Sequence, residues 1–315
     1  MKRKLLLHLV LPLLGLSAFF WLLAFAPGAS RQQTALLEMS VILREGDSTA
    51  ASTLRKGMEQ AAVDLNVELR FLAPSTANSA DEQAQLLARE VESAASAILL
   101  FPADRQALAD AVGDAAAKAA VVTLETDMTE QGAKSCVSVD NAALGKALAR
   151  AAINGVSPGG TVLLLDSVPG NNGIRERLDA ASAALRAAGR QVRLCPWTPE
   201  GDELAVALQT GDIGAVVAFE ATALEAAAEL ARTNPRFPLL YGAGSSAAIA
   251  AGVERGRITA IAAENAFTAG YLAVEAAAAA ARREPVSAMP ALDFAIIRQE
   301  NMYNADNQKL LFPVT

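Results

Sequence analysis

From Leu37 onward the chain alternates short β-branched or leucine-rich runs with longer stretches whose apolar residues recur at intervals of three and four. That alternation restricts it to repeated βα units around parallel sheet. The runs Met39–Leu43, Glu68–Leu72, Ala97–Phe101, Ala120–Leu124, Thr161–Leu165, Val192–Cys195, Ala215–Phe219, Pro238–Tyr241 and Thr259–Ala262 read as strands. Helices are expected at Thr53–Leu65, Asp81–Ser93, Asp104–Lys118, Ala142–Ile153, Gly173–Ala188, Ala221–Arg232 and Thr268–Arg282. The repeat is punctuated after Cys136-Val-Ser-Val-Asp140-Asn141, and Ser157-Pro158-Gly159-Gly160 opens a second series. Two α/β lobes follow, each a doubly wound parallel sheet with helices on both faces. Apolar residues make up 52% of the chain and aromatics only 5%, a usage that suits helices packed closely on sheets.

Residues 1–30 stand apart. A basic start, Lys2-Arg3-Lys4, precedes a run from Leu5 to Ala26 that is apolar except for His8 and Ser17. Roughly 20 such residues can span a bilayer with the basic end in the cytoplasm. The segment reads as a signal peptide or a membrane anchor through residues 5–26. Ala24-Phe25-Ala26 offers a cleavage pattern, but Pro27 follows it, which favours a retained anchor. The remainder is expected to be extracytoplasmic: anchored to the cell membrane, or periplasmic or secreted if the leader is removed.

Without Lys2, Arg3 and Lys4, 34 acidic residues stand against 24 basic ones. Such a surface does not suit a nucleic-acid partner, which needs clustered Lys and Arg. His8 is the single histidine and lies in the leader, so the folded part has none. Histidine-based triads, Cys-His dyads and His metal sites are thereby excluded, and no catalytic or metal residue is assigned. Leu240-Tyr241-Gly242-Ala243-Gly244-Ser245-Ser246-Ala247, with Glu264 about twenty residues on, has the spacing of a dinucleotide fingerprint. It falls late in a chain already organised as two series, and no cofactor is expected.

In open α/β sheets ligands bind beyond the carboxyl ends of the strands. The side chains there include Asp47 and Ser48, Asp104, Glu125, Asn171, Asn172 and Arg175, Trp197, Glu220, Gly244 and Ser245, and Glu264 with Asn265. Carboxylates, amides and a guanidinium suit the recognition of hydroxyls or amines by oriented hydrogen bonds. Some are also good helix caps, Asp104 before Arg105-Gln106-Ala107 among them. Within Gly173-Ile174-Arg175-Glu176-Arg177, Arg175 is expected to face the ligand near a helix N-terminus and Arg177 to lie at the surface.

The chain resembles the type I periplasmic binding proteins, the ribose- and galactose-binding family that shares its core with the lac repressor. The residues that carry the likeness are Met39-Ser-Val-Ile-Leu43 with Gly57, Ala97-Ile-Leu-Leu-Phe-Pro102, and Val121-Val-Thr-Leu-Glu125. Val139-Asp140-Asn141 with Gly145, Gly170 through Arg177, and Ala262-Ala-Glu264-Asn265 with Gly270 complete it, over about residues 36–300. The repressor branch, which needs a helix-turn-helix region before this core, is not expected. The resemblance implies a hinge of three crossovers, near Asn141, Glu264 and Ala291. Residues 36–140 plus 265–290 would form one lobe and 141–264 plus 291–315 the other. Cys136 and Cys195 then fall in different lobes and are expected as free, buried thiols.

By position the family's ligand contacts fall on Ser48, Glu125, Arg175, Glu220, Gly244 and Glu264, and Trp197 and Asn265 complete the expected set. Two departures stand out. Ala50 and Ala51 occupy the place where sugar-binding members carry stacking aromatics, and Gly244 replaces an aspartate. These departures speak against a pyranose or pentose unless Trp197 or Phe267 supplies the stacking face. The implied function is non-enzymatic binding of a sugar or similar polar solute, delivered to an ABC-type permease by hinge closure. A membrane-anchored sensing module docking on a kinase or chemoreceptor, a binder of amines or cationic solutes, a carboxylate-dependent exported hydrolase, and a degenerate member without a ligand stay open.

Overall fold

The computed structural model describes residues 36–46, 51–199, 201–209, 211–286 and 291–312. The leader and Ser48 lie outside the described residues. Among the described residues no helix is long and apolar enough to cross a membrane.

Five strands form the first sheet: β1 (Leu37–Ile42), β2 (Val67–Leu72), β3 (Ala97–Leu100), β4 (Ala120–Leu124) and β5 (Ser135–Val137). Their order is β2-β1-β3-β4-β5, all parallel. Between them run α1 (Ser52–Leu65), α2 (Ala80–Glu92) and α3 (Ala109–Ala116). The central residues of β1, β3 and β4 are buried at successive positions, Ser40 and Thr123 included, as strands covered on both faces require.

After β5 the chain enters α4 (Asn141–Gly155), which packs on the second sheet. That sheet holds β6 (Thr161–Asp166), β7 (Gln191–Pro196), β8 (Ile213–Ala218), β9 (Leu239–Ala243), β10 (Ala260–Glu264) and β11 (Phe294–Ile297). Its order is β11-β10-β9-β8-β6-β7. Helices α5 (Asn172–Ala187), α6 (Glu203–Gln209), α7 (Ala221–Thr233) and α8 (Ala247–Glu254) connect the parallel strands. From Glu264 the chain returns to the first lobe as α9 (Ala266–Ala281), buried against β4 and α1. It comes back as β11, followed by α10 (Ala305–Leu311).

β11 pairs antiparallel with β10, so the second sheet is not purely parallel as the repeat suggested. The reason is geometric. The returning segment reaches the sheet at the end where β10 leaves it, so it runs in the opposite sense. The two crossovers at this point lie side by side: Leu292 N–H donates to Ser138 O at 2.9 Å, and Val139 and Leu292 form an isolated parallel bridge.

The expected helix from Asp104 begins only at Ala109. Asp104 Oδ1 accepts from the N–H groups of Gln106 (2.8 Å) and Ala107 (2.9 Å), closing a turn rather than starting the helix. The Ala- and Gly-rich composition finds its use in helix pairs. Added Cβ atoms at Gly57 and Gly270 would overlap the carbonyl oxygens of Phe267 and Leu54, so α1 and α9 touch backbone to backbone. Cys136 on β5 and Cys195 on β7 are both free, in different sheets; Cys195 is buried and Cys136 partly so.

Candidate functional site

The carboxyl ends of β1, β3 and β4 face those of β8, β9 and β10 across a cleft enclosing about 850 Å³ of atom-free space, its open mouth included. Leu43, Arg44, Glu45, Phe101 and Glu125 line it from the first lobe; Arg177, Glu220, Thr222, Gly244, Ser245 and Glu264 line it from the second.

Glu125 follows β4 with φ of +63°, a conformation unfavourable for a side chain with a Cβ. Its neighbours hold it there. Its N–H donates to Val137 O at 3.1 Å, and its carbonyl accepts from Ser138 Oγ and Asn141 Nδ2, both at 3.3 Å. Gly173 presses on the same carbonyl from the second lobe. Glu125 Oε2 is buried without a hydrogen-bond partner, with the Arg44 guanidinium Nε at 3.6 Å.

Arg177 is 3% exposed and projects from α5. Its Nε donates to Asn141 Oδ1 at 2.7 Å and its Nη1 to Phe219 O at 3.2 Å. Nη2 stands 3.9 Å from Glu264 Oε2 and has no hydrogen-bond partner. Burial pushes the Glu264 carboxyl above the ordinary carboxylate range, against the pull of Arg177. Gly145 of α4 lets the two helices meet at the backbone of Arg177, where a Cβ would overlap its carbonyl oxygen.

Glu220 is 3% exposed and caps α7, accepting from Thr222 N–H and Ala223 N–H at 2.7 Å each. A helix N-terminus favours a carboxylate there. Burial still raises its pKa, with Arg44 opposing. Arg44 Nη2 lies 3.9 Å from Glu220 Oε2, across the cleft. Burial works against the Arg44 guanidinium, yet Glu125, Glu220 and Glu45 hold its pKa above the ordinary value. Beside it, Thr222 Oγ1 donates to Glu45 at 2.8 Å, a direct hydrogen bond between lobes.

The cleft thus gathers Glu125, Glu220, Gly244 and Glu264 of the expected set. It reverses the two arginines: Arg177 enters the cleft, while Arg175, 38% exposed, pairs with Asp166 at 3.0 Å and Asp179 at 3.4 Å. Residues two apart on a helix point about 200° apart, so only one can face the cleft. Trp197 packs into the second lobe's core with Cys195 and Leu204. Asn265 is turned to cap α9, accepting from Thr268 N–H at 2.9 Å. Neither Trp197 nor Phe267 lines the cleft; its aromatic face is Phe101. Phe101 was missed because its apolar run includes it, whereas the strand ends at Leu100; Arg44 and Glu45 directly follow the first apolar run, where the sequence reading looks to Asp47 and Ser48 as the strand-end residues. Gly244 adopts φ of +139°, so the aspartate usual at this place could not stand there without moving the backbone.

A profile of the periplasmic binding protein domain matches residues 39–285. No curated protein sequence matches. Among solved structures, a carbohydrate transporter solute-binding protein from Agrobacterium radiobacter in complex with D-arabinose superposes with a TM-score of 0.81 at 18% identity, covering 88% of this chain and 99% of its own. An ABC transporter solute-binding protein from Agrobacterium vitis with bound D-fucose gives 0.81 at 19% identity, covering 87% and 100%. XylFII, in a complex with LytSN, gives 0.75 at 15% identity, covering 84% and 98%. At these identities the superpositions establish the fold, and the profile, spanning most of the sequence, establishes the family. This chain belongs to the periplasmic binding proteins, with the type I architecture of the ribose- and galactose-binding members.

Proposed function

We propose that the protein is an extracytoplasmic, non-enzymatic solute receptor that binds a small hydroxylated ligand of the sugar class between its lobes. The observation that carries this reading is the pair of unpartnered buried atoms on opposite walls of the cleft. Glu125 Oε2 is an acceptor from the first lobe and Arg177 Nη2 a donor from the second. A buried polar atom without a partner costs about 1–3 kcal/mol. A ligand bearing hydroxyls, which both donate and accept, can satisfy the two atoms and so tie the lobes together. Phe101 supplies an apolar face for a sugar ring. The structural relatives with bound D-arabinose, D-fucose and tagatopyranose support the same class.

The mechanism is hinge closure of residues 36–140 plus 265–290 against 141–264 plus 291–315. Ligand contacts made by both walls exist only when the lobes are together, so binding shifts the population to the closed form. That form docks on a membrane permease. XylFII in complex with LytSN supports a second reading, a signalling partner in place of the permease.

The test is a thermal-shift measurement of the full chain with D-arabinose, D-fucose, D-galactose and D-allose. A ligand that binds only the folded state raises the melting temperature by mass action. A rise with one of these sugars, abolished in Arg177→Ala, is the expected result; no rise with any neutral sugar or polyol overturns the sugar reading.

A further inference from the structure

Among the described residues the cleft lining carries four carboxylates, Glu45, Glu125, Glu220 and Glu264, against two guanidiniums, Arg44 and Arg177. Charge balance alone favours a cationic ligand. The positions tell against it. Arg177 faces Glu264 and Glu45 takes a hydrogen bond from Thr222, whereas Glu220, although it caps α7, keeps its charge turned toward Arg44. Glu125 and Glu220, one from each lobe, are left as the pair between which an ammonium would sit, and Arg44 lies between them, 3.6 Å from one and 3.9 Å from the other. It is 11% exposed and held by its own strand end: Asn78 N–H donates to Arg44 O at 2.6 Å, and Arg44 Nη1 donates to Asn78 Oδ1 at 3.5 Å. Its ion contacts exceed hydrogen-bond length, so it neutralises Glu125 without taking up that carboxylate's free acceptor position.

We propose that Arg44 determines the charge class of the ligand: its guanidinium occupies the place of a ligand cation between Glu125 and Glu220, so the cleft takes neutral hydroxylated solutes and rejects amine-bearing ones. This rests on the cleft being the ligand site. Removing the charge leaves two facing carboxylates with space between them, the arrangement that binds an ammonium.

The experiment compares the full chain and its Arg44→Met variant by calorimetric titration with matched pairs, D-galactose against D-galactosamine and D-glucose against D-glucosamine, at pH 6.5 and two salt concentrations. The wild type is expected to prefer the neutral member by at least about tenfold. Arg44→Met is expected to invert that preference, with the amine affinity falling as salt rises. An unchanged preference in the variant, or equal loss of both members, overturns the assignment. Because Arg44→Met leaves two acids facing each other and could unfold, Glu220→Gln tests the same charge logic from the other side. It keeps an acceptor for the α7 cap and frees the Arg44 charge, and is expected to raise affinity for D-galacturonate relative to D-galactose at least about fivefold. No change in that ratio overturns the proposal. If no neutral sugar binds the wild type, the sugar reading fails by itself, and amine binding by Arg44→Met alone would still uphold the role of Arg44. Silence of both proteins overturns both.

Discussion

One substitution tested at two glycines separates close helix packing from helix propensity. Gly145 lies in α4 where that helix meets α5, and an added Cβ would stand more than about 1 Å inside van der Waals contact with the carbonyl oxygen of Arg177. The obstacle is backbone, so it cannot rotate away, and the two helices must separate. Overpacking of this kind costs about 1–3 kcal/mol, and at about 2–4 °C per kcal/mol Gly145→Ala should lower the melting temperature by about 2–12 °C. Gly113, inside α3, has only Gln131 O at 3.8 Å from its added Cβ. There alanine relieves the backbone entropy of glycine, worth about 0.5–1 kcal/mol, and the melting temperature should rise. Circular dichroism melts of the two variants beside the wild type give opposite signs on this reasoning. Because α5 carries Arg177 into the cleft, Gly145→Ala should also weaken ligand binding while Gly113→Ala leaves it unchanged. A Gly145→Ala protein that melts and binds like the wild type would refute the backbone contact and with it the placement of Arg177.

Arg177→Ala should weaken sugar binding about 10- to 100-fold, the worth of one or two charge-assisted hydrogen bonds, while Arg175→Ala, removing only exposed ion pairs, should stay within about twofold in the same titration. Glu264 has a pKa raised by burial, so in the window between the ordinary carboxylate pKa and its raised folded value the native state binds more protons than the unfolded one. Its ionisation therefore erodes stability as pH rises through that window, and Glu264→Gln should gain on the wild type from pH 4 to pH 7 in urea melts; a constant difference would contradict the assignment. Burial pushes the Cys136 thiol up to about 11 and raises that of Cys195, so native protein at pH 8 should react slowly with a thiol reagent and release two equivalents once unfolded.

The βα repeat was legible because burial on both faces leaves its mark on the central strands as short apolar runs; each of the nine expected runs overlaps a strand of the structure, and four lie wholly within one. β5 and β11 were not among them: β5 is only three residues, and β11, Phe-Ala-Ile-Ile, is an apolar run but only partly buried and lies after the last βα unit of the repeat. Glu125, Glu220, Gly244 and Glu264 could be placed at the cleft from the rule that ligands meet strand ends, a rule that depends on chain order alone. What that rule cannot supply is rotation about an element or its last residue.

Arg175 and Arg177 are equivalent in the sequence, and their roles are divided by how α5 is rolled, which the contact of Gly173 with Glu125 and of Gly145 with Arg177 decides. Arg44 and Phe101 reach the cleft from just beyond the carboxyl ends of β1 and β3, where only the meeting of the two lobes makes them lining residues. Trp197 had the right chemistry for a stacking face, but the second lobe's core takes it. The sequence by itself thus determined the order of elements, the two sheets and the strand ends where acids gather, because those follow from local periodicity and connection length. Only the tertiary structure decided which guanidinium faces which carboxylate, because that depends on helix roll and on two lobes meeting, distances that no single segment of the chain contains.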